Sequence, residues 1–347
     1  MNEDLQFAIK ILSADIEQMG YTPVVQFELE GVSKPAADRT LKPDMHHLNF
    51  NAINAELKHR GILGLLKPEY WQNQWEYASM MAGQTPLKAA KDLDTVILLL
   101  PTLLKLFGSQ EVFIQPVYWD SNSSNRPLLE KDNAKMIEGK AVHIPNSVQF
   151  NVSAFDRNGK NLLSEDGLGQ TLHQCFLQTS YECCLLYCPE QPAFARYTLK
   201  DQYDLHKELS SPVDISSSHM GGVLFHQDKD KNGKPIDDWQ RHSRIEHRLG
   251  AASTKYNAYL NCVYALANLH EAILISRGEN SLLEKNGDYT RTLPTSLHGQ
   301  RGAFEVFRQG RWFEQKLNQL KLSTAEKNSL HKPLGTLLKQ SLLQRVN

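Results

Sequence analysis

Polar and apolar residues that alternate one by one can only be satisfied on a pleated strand with two different faces. The stretch Lys67-Pro-Glu-Tyr-Trp-Gln-Asn-Gln-Trp-Glu-Tyr-Ala78 imposes that constraint most severely. Its second half reads as a strand with Gln74, Glu76 and Ala78 on one side and Trp75 and Tyr77 on the other. Glu69 and Glu76 place two carboxylates among aromatics and amides. A carboxylate there must either face water or be compensated by a cation, because burying it alone is costly.

Three further stretches share the design. In Thr22–Gly31, Val25, Phe27 and Leu29 oppose Gln26, Glu28 and Glu30. In Pro145–Phe155, Val148, Phe150 and Val152 oppose Ser147, Gln149, Asn151 and Ser153, and Asp156-Arg157-Asn158-Gly159 is a hairpin turn signal. In Ser243–Leu249, Ile245, His247 and Leu249 oppose Arg244, Glu246 and Arg248. Each strand could also turn its polar face to bulk water. Together they supply Glu28, Glu30, Glu69, Glu76 and Glu246 to one plan. Converging carboxylates repel unless divalent cations sit between them, and oxygen-only donors suit Mg²⁺ or Mn²⁺ rather than zinc. Arginines beside them suit a polyphosphate or another acid.

Helical periodicity fills the intervals. Residues 3–18 carry an apolar stripe from Leu5 to Ile16, and Leu48, Ile53, Leu57 and Ile62 mark a second helix. Thr85 is an N-cap and Pro86 a first-turn residue for a helix running to about Gly108. Val112–Trp119 reads as one short strand, Leu168–Tyr187 as a helix, and Tyr256–Ile275 as a buried helix in which His270 is packed rather than a ligand. The interval 120–141 is loop-like, 189–240 is an irregular insertion or lid region, and the remainder after 275 is helical.

With 38 Lys and Arg against 39 Asp and Glu, the chain shows no basic surface for nucleic acid, and its longest apolar run, Val96–Leu106, is too short for a bilayer. An apolar fraction of 41% suffices for a sizeable core. Five cysteines without a secretory leader point to a reducing cytoplasm, with Cys183, Cys184 and Cys188 as buried thiols. No phosphate-binding glycine loop, dinucleotide fingerprint or His-Glu-x-x-His zinc pattern is present.

At these residues the chain resembles the glutamine synthetase superfamily. The family's Glu-x-Glu strand after Gly-Tyr is similar to Gly20-Tyr21 followed by Glu28-Leu-Glu30, and its histidine- and glutamate-rich segment to Lys67–Glu76. Its Ala-Leu-x-Ala-Ala-Asp helix resembles Pro86–Asp92, and its Asn-Gly-Ser-Gly strand and turn resemble Ile144–Leu162. Its Arg-x-Glu-x-Arg strand resembles Arg244-Ile-Glu-His-Arg248, its Asn-Pro-Tyr-Leu start resembles Asn257-Ala-Tyr-Leu260, and its Leu-Pro-x-Ser-Leu segment resembles Leu293–Leu297.

The resemblance implies an α+β fold, a glutamine synthetase-like catalytic domain with a curved, mainly antiparallel sheet and helices packed outside, spanning 1–347 as a single domain. It implies that Glu30, Glu69 and Glu76 hold one metal and Glu28 and Glu246 a second, with Arg244 and Arg248 meeting phosphate and acyl substrate as catalytic residues. Gln149 and Asn151 would bind substrate. The implied activity is an ATP- and Mg²⁺-dependent (or Mn²⁺-dependent) carboxylate–amine ligase of γ-glutamyl type with a non-standard acceptor. The alternative is a catalytically silent relative that binds nucleotide or a partner protein.

Departures favour that alternative. The family's metal-binding histidine falls on Gln149, its flap glutamate near Ser210, and its arginine-bearing segment on Ser217–Gly222. The match begins at the helix before the Glu-x-Glu strand, without the family's amino-terminal β-grasp domain. Closure of the site is therefore expected from the long irregular region Cys188–Gln240 or from a homo-oligomeric or partner-chain contact, with the 200–235 segment mobile in the protein alone.

Overall fold

The computed structural model describes residues 2–35, 46–69, 73–81, 83–120, 142–164, 167–194, 196–197, 215, 222–226, 243–284 and 292–320. The strands are β1 (Thr22–Pro35), β2 (Gly64–Pro68), β3 (Gln74–Ser79), β4 (Ser109–Phe113), β5 (Val117–Asp120), β6 (Val142–Pro145), β7 (Val148–Phe155), β8 (Val223–His226) and β9 (Arg244–His247). The helices are α1 (Asn2–Gln18), α2 (Phe50–His59), α3 (Pro86–Leu106), α4 (Leu168–Ser180), α5 (Cys184–Tyr187), α6 (Ala258–Ser276), α7 (Ala303–Gln309) and α8 (Trp312–Gln319).

Seven described strands form the main sheet, in the order β2-β3-β1-β7-β9-β8 with β4 also on β1. Every pairing in it is antiparallel. Strand β1 is the axis: Thr22–Leu29 pair with β7, Glu28–Val32 with β3, and Val32–Pro35 with β4. All four alternating stretches are strands of this sheet, and their apolar sides face one way. Phe27, Leu29, Trp75, Tyr77, Phe150 and Ile245 are fully buried there.

Helix α6 lies in the centre of that apolar side and packs against α1, α3 and α4. It is buried nearly all round, which explains an apolar pattern without a polar stripe. It is long and apolar enough to cross a bilayer, but 83% of its most apolar window is buried inside the protein, as in a core helix. Its ends obey local rules: Asn257 Oδ1 accepts from Leu260 N, as Thr85 Oγ1 accepts from Lys88 N at the start of α3.

Several boundaries differ from the sequence-based expectation. Val112–Trp119 is two strands, β4 and β5, broken before Pro116, which has no N–H for a ladder. The helix expected over 168–187 stops at Ser180 and resumes as α5. Thr179 and Ser180 turn their hydroxyls back onto the carbonyls of Cys175 and Phe176, a bond that competes with helix continuation. Within 189–240 the described residues include a short 3-10 turn, Gln191–Phe194, and the edge strand β8. The segment 200–235, apart from Ile215 and Gly222–His226, lies outside the described residues, as do Ser210 and Ser217–Gly221. All five cysteines are buried and free.

A buried ion pair fastens α8 to α6. Lys316 of α8 is 2% exposed and reaches Glu271 of α6, while its Nζ also donates to His270 Nδ1 at 2.7 Å. Glu271 accepts further bonds from Ser281 and from Leu282 N at 2.7 Å. Each formal charge therefore has partners, without which burial would be prohibitive. His270 is the packed, neutral side chain expected: burial first, then the Lys316 charge, lowers its pKa to about 4.

One glycine makes the central strands fit. Gly31 stands opposite Trp75 in the β1–β3 register, and a Cβ on it would lie 2.3 Å from the Trp75 ring and 2.8 Å from the Phe113 carbonyl oxygen. We expect Gly31→Ala to destabilise the protein by about 1–3 kcal/mol, measured by urea unfolding. An unchanged midpoint would show that Trp75 can move aside.

Candidate active site

The polar sides of the same strands make one continuous surface. Register carries this argument, because directly paired residues share a face. Lys67, Glu76, Glu30 and Ser147 form a row across β2, β3, β1 and the start of β7. Glu28 stands opposite Gln149, and Asn151 stands between Gln26 and Glu246. Glu69 continues the β2–β3 ladder, its N–H donating to Gln74 O at 3.1 Å, so it joins the same face. Glu28, Glu30, Glu69, Glu76 and Glu246 are thus all on the side away from α6, with Gln149, Asn151, Arg244 and Arg248.

Four of these carboxyl groups are held by nitrogen donors, whereas Glu69 meets the carboxyl of Glu76. Ser147 N donates to Glu30 Oε2 at 2.7 Å and Gln149 Nε2 to Glu30 Oε1 at 3.1 Å. Asn151 Nδ2 donates to Glu28 Oε1 at 3.1 Å, and Arg244 Nε donates to Asn151 Oδ1 at 2.9 Å. Lys67 Nζ lies 2.9 Å from Glu76 Oε1. Glu246 is in contact with His226, with Arg248 Nε at 3.4 Å and with Arg244 Nη2 at 3.8 Å.

Charge divides this surface in two. Burial, then repulsion from Glu76 and Glu246, pushes the Glu28 carboxyl up to about 8 against the pull of Lys67 and Arg244. Burial, then Glu30 and Glu76, pushes Glu69 up to about 8 as well. Burial and Glu76 raise Glu30, opposed by the Ser147 bonds and Arg196. Burial disfavours the Glu246 anion too, but His226, Arg248 and Arg244 outweigh it and its pKa falls. Burial likewise works against the Lys67 ammonium, yet Glu76, Glu28 and Glu69 outweigh it and its pKa rises.

The chemistry of these donors, though not their spacing, suits a hard divalent cation. The donors are oxygens, three carboxyls carry repulsion that a cation would relieve, and the buried Gln149 Oε1 has no hydrogen-bond partner among the described residues. Among the described residues, no three His, Cys, Asp or Glu side chains are gathered closely enough to hold one ion.

Three contributors escaped the sequence reading. His226 sits in a short strand with no polar alternation. Arg196 is buried, bonded to the Gly250 carbonyl, and acts on Glu30 from outside the sheet. Lys67 was visible in the sequence, but its role follows from standing opposite Glu76, which only register reveals. His247, within the Arg-Ile-Glu-His-Arg stretch, belongs to the other face. It stacks on Phe150 at 4.5 Å, and burial lowers its pKa to about 3.

No protein-family model and no curated protein matches the sequence. Solved structures do match its fold. A crystal structure described as a novel glutamine synthase homolog has a TM-score of 0.64 at 14% identity, covering 99% of this chain and 71% of its own. GmaS without ligand gives 0.57 at 12% identity, covering 97% and 74%, and a GmaS–ADP complex gives 0.59 at 12% identity, covering 99% and 73%. The chain therefore has a glutamine synthetase-like fold, as its motif order implied.

Glu28 and Glu69 hold a proton more tightly folded than unfolded. Their contribution to stability is complete below about 4.5 and is lost as pH rises through about 8. In chelator, the melting temperature should fall between about pH 4.5 and pH 8, and Mg²⁺ or Mn²⁺ should restore more of it at the alkaline end. Differential scanning fluorimetry across pH checks this. A cation effect equal at both ends would contradict it.

Proposed function

We propose that the chain is an ATP-dependent carboxylate–amine ligase of the γ-glutamyl type, using Mg²⁺ or Mn²⁺ and a non-standard acceptor. The observation that carries the reading is the gathering of five carboxylates and two arginines on one face of a glutamine synthetase-like sheet. A neighbouring fold described as a complex with ADP supports nucleotide use.

In this reading Glu30, Glu69 and Glu76 hold one ion and Glu28 and Glu246 another. Bound ions supply charge neutralisation and polarisation of the γ-phosphate. An oxygen of the acid attacks the γ-phosphorus, the bond to the β-bridging oxygen breaks, and ADP leaves an acyl phosphate. The amine nitrogen then attacks the acyl carbon, the carbon–oxygen bond to phosphate breaks, and phosphate departs as the nitrogen loses its proton to water. Arg244 and Arg248 stabilise the charge on the transferring phosphoryl group. Gln149 and Asn151 orient the acid through their amides.

An acyl phosphate open to solvent hydrolyses, so the reading requires closure by the 189–240 segment or by a partner or second copy. It treats 1–347 as one catalytic domain of a cytoplasmic protein acting on a small carboxylate and a small amine.

The test is phosphate release from ATP across panels of acids and amines with Mg²⁺ or Mn²⁺. Release that needs both an acid and an amine is expected, and Arg248→Ala should lower kcat on the order of 10²–10³-fold. Tight nucleotide binding with no acid-dependent release in any combination would identify a silent binding protein instead.

A further inference from the structure

We propose that Tyr197 is a positioning residue for Arg248, its buried hydroxyl holding the backbone that carries this arginine to the polar face. The inference rests on the phosphate-binding half of the ligase reading and goes on to say what keeps that arginine in place.

The two arginines of the site are held differently. Arg244 is a member of the β8–β9 ladder, opposite His226. The ladders on both sides of β9 end at His247, opposite Phe150 and Val223. Arg248 lies one residue past them, yet its Nε is 3.4 Å from Glu246 Oε1. A long side chain on an unsecured backbone would spread its charge over many positions, and ordering it costs entropy. Something other than the ladder has to fix the chain at 248–251.

That support comes from the start of the irregular region. Arg248 N donates to Gly222 O at 2.7 Å. Tyr197 Oη donates to Leu249 O at 2.9 Å, and Cys188 Sγ, a weaker donor, lies 3.5 Å from the same oxygen. Arg196 Nη1 donates to Gly250 O, which also accepts from Val148 N at 3.1 Å. Ala251 N donates to Tyr187 O at 3.2 Å. Bonds before and after it thus bracket the Arg248 Cα, and only side-chain torsions remain to place the guanidinium. Tyr197 is 2% exposed, so bulk water does not compete for the Leu249 carbonyl. Burial also pushes its phenol well above the usual pKa, which keeps it a donor at neutral pH.

Tyr187 provides an internal comparison. It too is fully buried, but its hydroxyl donates to Ser180 O at 2.7 Å, at the end of α4. Losing a buried hydroxyl costs stability at either position. Only at 197 does the loss release the segment that bears Arg248.

The experiment titrates inorganic tripolyphosphate into the full-length chain by calorimetry. The variants are Tyr197→Phe, Tyr187→Phe, Cys188→Ala and Arg248→Ala, with the first and third also combined with Arg248→Ala, and thermal melts confirm that each is folded. Tyr197→Phe is expected to weaken binding roughly tenfold and to add nothing once Arg248 is alanine. Cys188→Ala should act in the same direction but less, again only with Arg248 present, and Tyr187→Phe should leave the affinity unchanged. Unchanged affinity in Tyr197→Phe, equal weakening by both tyrosine variants, or the same weakening with and without Arg248 overturns the inference. Coupling to Arg248 without acid-dependent phosphate release would keep the inference and remove the ligase reading, whereas turnover without coupling would do the reverse. No tripolyphosphate binding by the natural chain would remove both.

Discussion

Strand β1 must satisfy two environments at every second residue, and the structure is arranged around that requirement. Phe27 and Leu29 go to the helices, and Glu28 and Glu30 go to the open side. A slip of one residue against β3 or β7 would send carboxylates into the core and phenylalanine to the site. The register is thus enforced from both sides. Helix α6 supplies the apolar half of the bargain, and the amides of Gln149 and Asn151 and the N–H of Ser147 supply the polar half.

That arrangement concentrates like charge where the backbone cannot move apart. Neighbouring strands lie roughly 4.8 Å apart, so Glu30 and Glu76 cannot separate without breaking the β1–β3 ladder. The result is a surface of uneven compensation. Glu246 is over-supplied with His226 and two arginines, whereas Glu28 and Glu69 are under-supplied. A polyanion arriving beside the arginines and a cation arriving beside the glutamates would level the two regions together.

The central strands were legible because their signal is local: a period of two, carried by Gln26–Glu30, Gln74–Ala78, Val148–Val152 and Arg244–Leu249. The same period placed Trp75 and Tyr77 in the core and the glutamates opposite them. What local pattern could not carry was pairing. β8 is four residues with too little alternation to be distinguished from the polar sequence around it, and its contribution, His226, appears only once it lies beside β9. Pro116 and the hydroxyls of Thr179 and Ser180 were visible, but whether they break an element depends on competing bonds that tertiary packing decides. The departure at Gln149 and the lysine at 67 were plain as letters. Their meaning needed the neighbour across the strand.

The Lys316–Glu271 pair has a consequence for how this chain can change over time. Trp312–Gln319 is a helix of only eight residues. Here it carries the counter-charge for a carboxylate in the middle of the central helix. A frameshift or stop before position 316 would strand an anion in the core opposite the site, and a later compensating change would have to occur at Glu271 itself, some 45 residues upstream. Helices α6 and α8 are therefore bound to vary as a pair, although α6 lies on the apolar side of the sheet, away from the glutamates.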